Sequence, residues 1–199
     1  LVNALGSDLL EGRQTGLAYD TSSLSAVNFN TGIARAEDAD VVLLVGTNLR
    51  WEAPLINTRI RKAVWRRKAQ VFAIGVEHDL TYKYQHLGDD ASLLMNLPDW
   101  VASSFARAER PMLILGGGAL SVPGVQAASL ALATSLNLVR DGWNGYNVVH
   151  MAAARMGSLM LGYARPGGIA DVIAAQPAVT FFLGADEVDF TAFAGSLKV

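Results

Sequence analysis

Four short apolar runs, each closed by a glycine, constrain this chain more than any other feature. They are Val41-Val42-Leu43-Leu44-Val45-Gly46, Val71-Phe72-Ala73-Ile74-Gly75, Met112-Leu113-Ile114-Leu115-Gly116 and Val179-Thr180-Phe181-Phe182-Leu183-Gly184. None alternates apolar with polar residues, and each is rich in β-branched or aromatic side chains between turn residues. A strand covered on both faces reads this way, whereas a half-exposed strand alternates. Helical patterns separate the runs, with enough chain for crossover connections, so the expected fold is α/β: a mostly parallel sheet with helices on both faces, Rossmann-like. The repeated strand–glycine ending marks the carboxyl edge, where such sheets bind ligands.

Helix signals fall between these runs. Pro54 suits a first turn, with Glu52 near the positive end of the helix dipole. Ile56, Ile60, Ala63 and Val64 then share one face. Arg59, Arg61, Lys62, Arg66, Arg67 and Lys68 put six of the sixteen basic residues within ten positions. That exceeds what the dipole requires, so the cluster reads either as a solvated face or as a dock for an acidic partner or anionic surface. A second helix is expected from about Pro123 to Leu136 and a third around Asn147 to Leu161. Segments 6–32 and 162–168 read as loop. The whole of 1–199 reads as a fragment of one α/β domain, with two lobes meeting near 105–111 as a variant organisation. The first residues lack an initiator Met and a signal pattern, and read as the start of an excised piece of a longer protein.

Composition removes several function classes. The chain has no cysteine, so disulfides, thiolate-ligated metal clusters and a thiol nucleophile are excluded for these 199 residues. A net charge of −2 gives no nucleic-acid footprint. Residues 111–139 carry no charge over 29 positions. Glycine and proline interrupt that run before it reaches the ~20 apolar residues of a membrane span.

The remaining motifs are weak. Gly116-Gly117-Gly118-Ala119-Leu120-Ser121 has the strand-to-helix context of a dinucleotide fingerprint, but Ser121 stands where its last glycine belongs; Asp141 follows at about the right distance for a ribose-binding acid. The bland alternative is a glycine-rich exit that lets a helix approach the sheet. His78, His86 and His150 have no ligand spacing, and His86 is expected to fasten a loop. Asp186-Glu187, Asp189 and Asp89-Asp90 read as solvated turns or helix starts ahead of a carboxylate pair for acid–base work. Trp51, Trp65, Trp100 and Trp143 read as core rather than as stacking platforms. No catalytic set emerges.

A more specific signal lies in two long blocks. Gly46-Thr47-Asn48, Arg50-Trp51-Glu52-Ala53-Pro54-Leu55 and Arg59-Ile60-Arg61-Lys62 form the first, with Asp79-Leu80-Thr81-Tyr82, Tyr84 and His86-Leu87-Gly88-Asp89 as the second. Together they resemble the large iron–sulfur subunit of NADH:quinone oxidoreductase, respiratory complex I. The likeness extends from about residue 28 onward and is loosest in 1–27 and 140–178. It implies a molybdopterin-oxidoreductase-like domain without molybdenum cofactor, with the iron–sulfur clusters in the missing part of the parent subunit. It also implies a non-catalytic structural role, other subunits of the complex I peripheral arm as partners, and no direct membrane insertion. The location it implies is peripheral, on the cytoplasmic side of a bacterial inner membrane or the matrix side in mitochondria. On this reading Gly46, Asn48, Gly116 and Gly184 line a vestigial pocket. The alternative is a functional molybdopterin- or nucleotide-binding oxidoreductase domain.

Overall fold

A computed structural model describes residues 2–14 and 19–199. It contains two compact units, one formed by Ser25–Ala153 and the other by Leu1–Leu24 together with Ala154–Val199. Residues 105–111, the expected lobe boundary, lie inside the first of these and join a helix to a strand.

The Ser25–Ala153 unit is built on β1 (Val41–Val45), β2 (Gln70–Ile74), β3 (Gln85–Gly88), β4 (Pro111–Leu115) and, beyond a short antiparallel pair β5 (Val139–Arg140) and β6 (Trp143–Asn144), β7 (Tyr146–Val148). The five-stranded sheet has the order β3-β2-β1-β4-β7 and every pairing in it is parallel. Three glycine-ended runs are therefore adjacent strands, with β1 between β2 and β4. All five β1 residues pair on both sides, Val41 with Gln70 and Pro111, Val45 with Ile74 and Leu115. Pro111 opens β4, a position where its missing N–H is tolerated.

Asp40 fixes where the central strands begin. Its carboxylate accepts from the backbone N–H groups of Glu109 at 2.6 Å and Arg110 at 3.1 Å. Its carbonyl accepts from Gln70 N–H at 2.9 Å. One residue thus ties the starts of β1, β2 and β4 together.

Helices cover both faces. Before them, α1 (Leu49–Glu52) is a single turn, followed by α2 (Pro54–Lys62), whose end widens into a π-helical turn over Ala63–Arg67. Ile56 and Ile60 of α2 pack with Val42, Leu44, Val71, Ala73, Met112 and Ile114 on one face. The opposite face carries Phe72, Leu43, Leu113 and Tyr146 in register. There, α3 (Asp99–Arg107) sets Phe105 against Phe72 at 6.4 Å between ring centroids, with Trp100 at 5.5 Å. After the short α4 (Gly117–Leu120), α5 (Val125–Ser135) brings Ser129 Oγ to within 3.1 Å of Tyr146 Oη.

Two expectations are corrected here. The third helix does not begin at Asn147, because Tyr146–Val148 is the sheet edge beside β4. The fully buried Asn147 holds it: its Oδ1 accepts from Thr31 N–H at 2.8 Å, and its Nδ2 donates to Thr31 Oγ1 at 2.9 Å and Gly145 O at 3.1 Å. Helix in the expected stretch is confined to α6 (Arg155–Met160) of the other unit. The tryptophans are likewise not a core set. Trp143 is buried and donates to Pro111 O at 2.7 Å, whereas Trp51 is 78% exposed and Trp65 and Trp100 are also exposed.

The other unit contains α6, α7 (Ile169–Ala174) and a parallel pair, β8 (Val179–Thr180) with β9 (Leu197–Lys198). The fourth apolar run is thus not a strand of the large sheet. Val179, Phe181 and Leu183 are exposed, while Phe182 packs edge-on against Phe190 and Phe193. Its N-terminal segment is held by the fully buried Arg13, which donates to both Glu11 carboxylate oxygens at 2.8 Å and to Tyr19 O at 3.0 Å, and also to Arg165 O. Burial works against the Glu11 charge, but hydrogen bonds from Arg13 and from Arg165 N–H outweigh it and hold the carboxyl below its usual range.

Two outcomes are expected. Arg13→Ala takes the ion-pair partner from the buried Glu11 carboxylate, leaving it only backbone N–H donors such as that of Arg165, and should cost about 3–5 kcal/mol, read from denaturant unfolding. Because the folded state lowers the Glu11 pKa, its stabilisation is present above the ordinary carboxylate pKa and lost as pH falls through the lowered value. Opening of the segment, read from amide exchange at Arg13 and Arg165 corrected for the intrinsic pH dependence, should therefore increase as pH falls below the ordinary carboxylate range; opening that does not change with pH would contradict it.

Candidate functional site

The glycines that end the strands shape the carboxyl edge. Gly46 N–H donates to Ile74 O, Gly116 N–H to Val45 O and Gly75 N–H to Gly88 O, each at 2.9 Å, so the ladder runs one residue past each strand. The chain then turns at φ +54° at Gly46 and +112° at Gly75, a region that favours glycine. A cleft of about 380 Å³ lies here, between the exits of β1 and β2, the residues after β3 and the start of α4 and α5. It falls at the point where the strand order reverses around β1, the usual place for ligands in an open α/β sheet.

The glycines after β4 serve close backbone approach. A Cβ on Gly116 would lie 2.3 Å from Thr47 Cβ and 2.6 Å from Gly46 O, and one on Gly118 would lie 2.9 Å from Gly46 O. The loop after β4 therefore sits directly on the loop after β1, and the spaces left by missing side chains are occupied by protein. The helix that follows is one turn long, and Gly124 in a left-handed conformation (φ +81°) precedes α5. Asp141 is exposed in the turn between β5 and β6. That hairpin is anchored by Trp143 on Pro111 O and Arg140 on Ala108 O, at the amino edge of β4. The ribose-binding acid of the dinucleotide reading is thus at the wrong edge of the sheet.

Glu52 decides the electrostatics of the cleft. It ends α1 and reaches back, its Oε1 accepting from Asn48 N–H at 2.6 Å and its Oε2 lying 3.5 Å from Gly117 N. A carboxylate of the chain itself thus stands where N–H groups of two helical turns converge, the position a phosphate takes in a nucleotide fold. Asp89 also lines the cleft and its Oδ1 is 3.1 Å from His86 Nε2. His86 Nε2 is also 2.6 Å from Gly75 O, so this histidine fastens the loop as expected. Of the residues lining the cleft, none is Lys or Arg.

Of the predicted pocket residues, Gly46 and Asn48 line the cleft and Gly116 packs immediately behind Thr47. Gly184 belongs to the other compact unit and is exposed. The acidic pairs divide. Asp90 accepts from Ser92 N–H at 2.8 Å, and Asp189 from Thr191 Oγ1 at 2.6 Å and Thr191 N–H at 2.9 Å, as helix-start caps, and these hydrogen bonds lower both carboxyl pKa values. The N–H groups of Asp186 and Glu187 face Gln14 Oε1. Among the described residues, no three His, Asp or Glu side chains gather as a metal site. Thr47, Val122 and His78 also line the cleft and were not legible in advance; an Asn followed four residues later by a Glu, reaching back as capping carboxylates do, is the signal for Glu52.

A parallel α/β unit with its cleft at the strand-order reversal is an architecture that cofactor-binding oxidoreductase domains share with many other α/β proteins. The family model for molybdopterin oxidoreductase matches residues 1–197, and the chain belongs to that family. It is 35% identical over 198 residues to the mitochondrial NADH-ubiquinone oxidoreductase 78 kDa subunit of Neurospora crassa, covering 94% of this chain and 26% of that protein. It is 33% identical over 196 residues to NADH-quinone oxidoreductase subunits from Rickettsia felis and from Rickettsia prowazekii, covering 96% of this chain and 28% of each. The chain therefore spans about a quarter of the length of these relatives. The resemblance carried by the Gly46–Leu55 and Asp79–Asp89 blocks is borne out.

The residues present do not fit a molybdopterin cofactor. To an anionic group the cleft lining offers the Glu52 and Asp89 carboxylates and no Lys or Arg, and these 199 residues supply no cysteine thiolate for molybdenum.

Substitutions at neighbouring glycines should separate the roles in the loop after β4. Gly116→Ala should lose about 1–3 kcal/mol through overpacking against Thr47. A Cβ at Gly117 meets only Met151 Cγ at 3.4 Å, so Gly117→Ala should be neutral or gain up to about 1 kcal/mol. Chemical denaturation of both variants checks the contrast.

Proposed function

We propose that this chain is a non-catalytic structural domain of the large peripheral-arm subunit of NADH:quinone oxidoreductase. Electron transfer from NADH to quinone would then be carried by iron–sulfur clusters in other parts of the parent subunit and complex. The observation that carries the structural role is the carboxylate-lined carboxyl edge: the place where this fold class holds an anionic cofactor is lined by Glu52 and narrowed by the packed glycine loop. A segment without a redox centre contributes to an electron-transfer assembly by positioning its neighbours. The names of the relatives, matched across nearly the whole chain, support the assignment to that complex.

Surface chemistry supports docking. Trp51, Leu55 and Trp65 are large, exposed apolar side chains on or beside α1 and α2. The basic cluster is partly committed internally: Arg59 and Lys62 pair with Glu37 at 2.7 and 3.4 Å, and Arg67 with Asp38 at 2.7 Å. Arg61 stacks over Trp65 at 4.6 Å. The face presented to partners therefore combines tryptophan with arginine, a pairing enriched at interfaces. No described helix is long and apolar enough to cross a membrane, and a peripheral position beside the membrane is part of the proposal.

Metal analysis, an optical spectrum and organic extraction of the purified chain test the non-catalytic reading. A protein free of molybdenum, pterin and nucleotide is expected; a stoichiometric amount of any of them overturns it and makes the domain an oxidoreductase centre. For docking, Arg66→Glu should weaken association with the rest of the arm without loss of fold, and Arg67→Glu should weaken it while also breaking the pair with Asp38. Unchanged assembly of both variants would leave α2 a solvated face.

A further inference from the structure

We propose that the carboxyl-edge cleft of the Ser25–Ala153 unit binds a guanidinium or alkylammonium group carried on a short apolar stem. The inference stands on the cleft residues alone and is independent of the scaffold role.

The polar groups of the cleft are acceptors in surplus. Glu52 Oε1 is used by Asn48 N–H, but Oε2 has only the long 3.5 Å approach of Gly117 N. Asn48 Oδ1, an acceptor, and Thr47 Oγ1, a hydroxyl that accepts or donates, are enclosed and have no hydrogen-bond partner, and Thr47 as a residue is only 8% exposed. Both residues line the cleft, as does Asp89. An enclosed acceptor without a protein partner takes its donor from water or from a ligand, and among the described residues two such atoms, Asn48 Oδ1 and Thr47 Oγ1, belong to this cleft. Two carboxylates without a lining cation set the sign of that donor.

The remaining walls set its shape. Val45, Ile74, Ala91 and Val122 give the cleft an apolar lining suited to methylene groups. Its volume of about 380 Å³ lies near the lower end of small-molecule sites. A bare metal ion is disfavoured, because no three His, Asp or Glu side chains among the described residues gather to hold one. A planar guanidinium offers five donors and matches a carboxylate bidentately, while an ammonium offers three. The same group could arrive on a free small molecule or on an arginine or lysine of a neighbouring protein.

The test is calorimetric titration of the 199-residue chain with n-butylguanidinium, with n-butyl phosphate and n-butanol as stem-matched controls, followed by NMR shifts of the Gly46, Gly75 and Gly118 amides. Saturable binding of n-butylguanidinium that moves these amides is expected, and it should weaken with added salt. Glu52→Gln should reduce affinity about tenfold and the exposed Asp89→Asn about threefold. Asp89 is exposed and its contact with His86 Nε2 at 3.1 Å can be kept by an asparagine Oδ1, so Asp89→Asn decides the matter even where Glu52→Gln unfolds. Equal or tighter binding of n-butyl phosphate, or n-butylguanidinium that moves no cleft amide, overturns the site. A blocked peptide with one arginine between alanines separates the sources: tighter binding than n-butylguanidinium supports a protein side chain as occupant, and weaker binding supports a free cation.

Discussion

The two-sided pairing of β1 is the constraint on which the Ser25–Ala153 unit depends. Val41–Val45 bond to β2 and β4 at once and present both faces to helices, so every residue of the strand is buried. Burial on every side requires apolar side chains at consecutive positions and satisfied backbone groups throughout. Asp40 supplies the start of the register by binding the N–H groups ahead of β4 and accepting from Gln70. Everything outward from β1 follows as covering layers: α2 on one face, α3 and α5 on the other.

The same geometry creates the cleft and determines what it can hold. A reversal of strand order around β1 necessarily opens a crevice at the carboxyl edge. In this chain the crevice is narrowed from behind by glycine loops that touch backbone to backbone, and its available N–H groups are answered by Glu52. A fold class that elsewhere recognises anionic cofactors thus carries a site of the opposite polarity. Helix-end N–H groups are neutralised as well by an internal carboxylate as by a phosphate, and the internal one leaves acceptors rather than donors facing the cleft.

The contrast between the two compact units is one of local against distant determination. In the larger one, long apolar runs dictate strands by themselves. In the other, the fourth run reads identically but pairs for only two residues, with Phe181 and Leu183 exposed. What orders that unit's N-terminal segment is a buried ion pair, Arg13 with Glu11, reinforced by Arg165. The pair itself is local, two positions apart, but its ties to the backbone N–H and O of Arg165 span 154 and 152 positions, and no local pattern announces those.

By itself the sequence determined the strand identity of residues 41–45, 71–74 and 112–115, the parallel α/β class, the amphipathic face at Ile56 and Ile60, and, through two long blocks, the family. These are properties of adjacent residues, set by apolar continuity, by period and by glycine punctuation. Only the tertiary structure decided that Asn147 begins no helix but fastens the edge of the sheet through Thr31, that Asp141 sits at the opposite edge from Gly116, and that Gly184 belongs to a different unit. It also decided the sign of the cleft, since Glu52 becomes its defining charge only when α1 turns it back toward Asn48 and Gly117. The division is physical: local sequence fixes which faces must be buried, whereas the partner of each polar group depends on chain segments that meet only after those faces have packed.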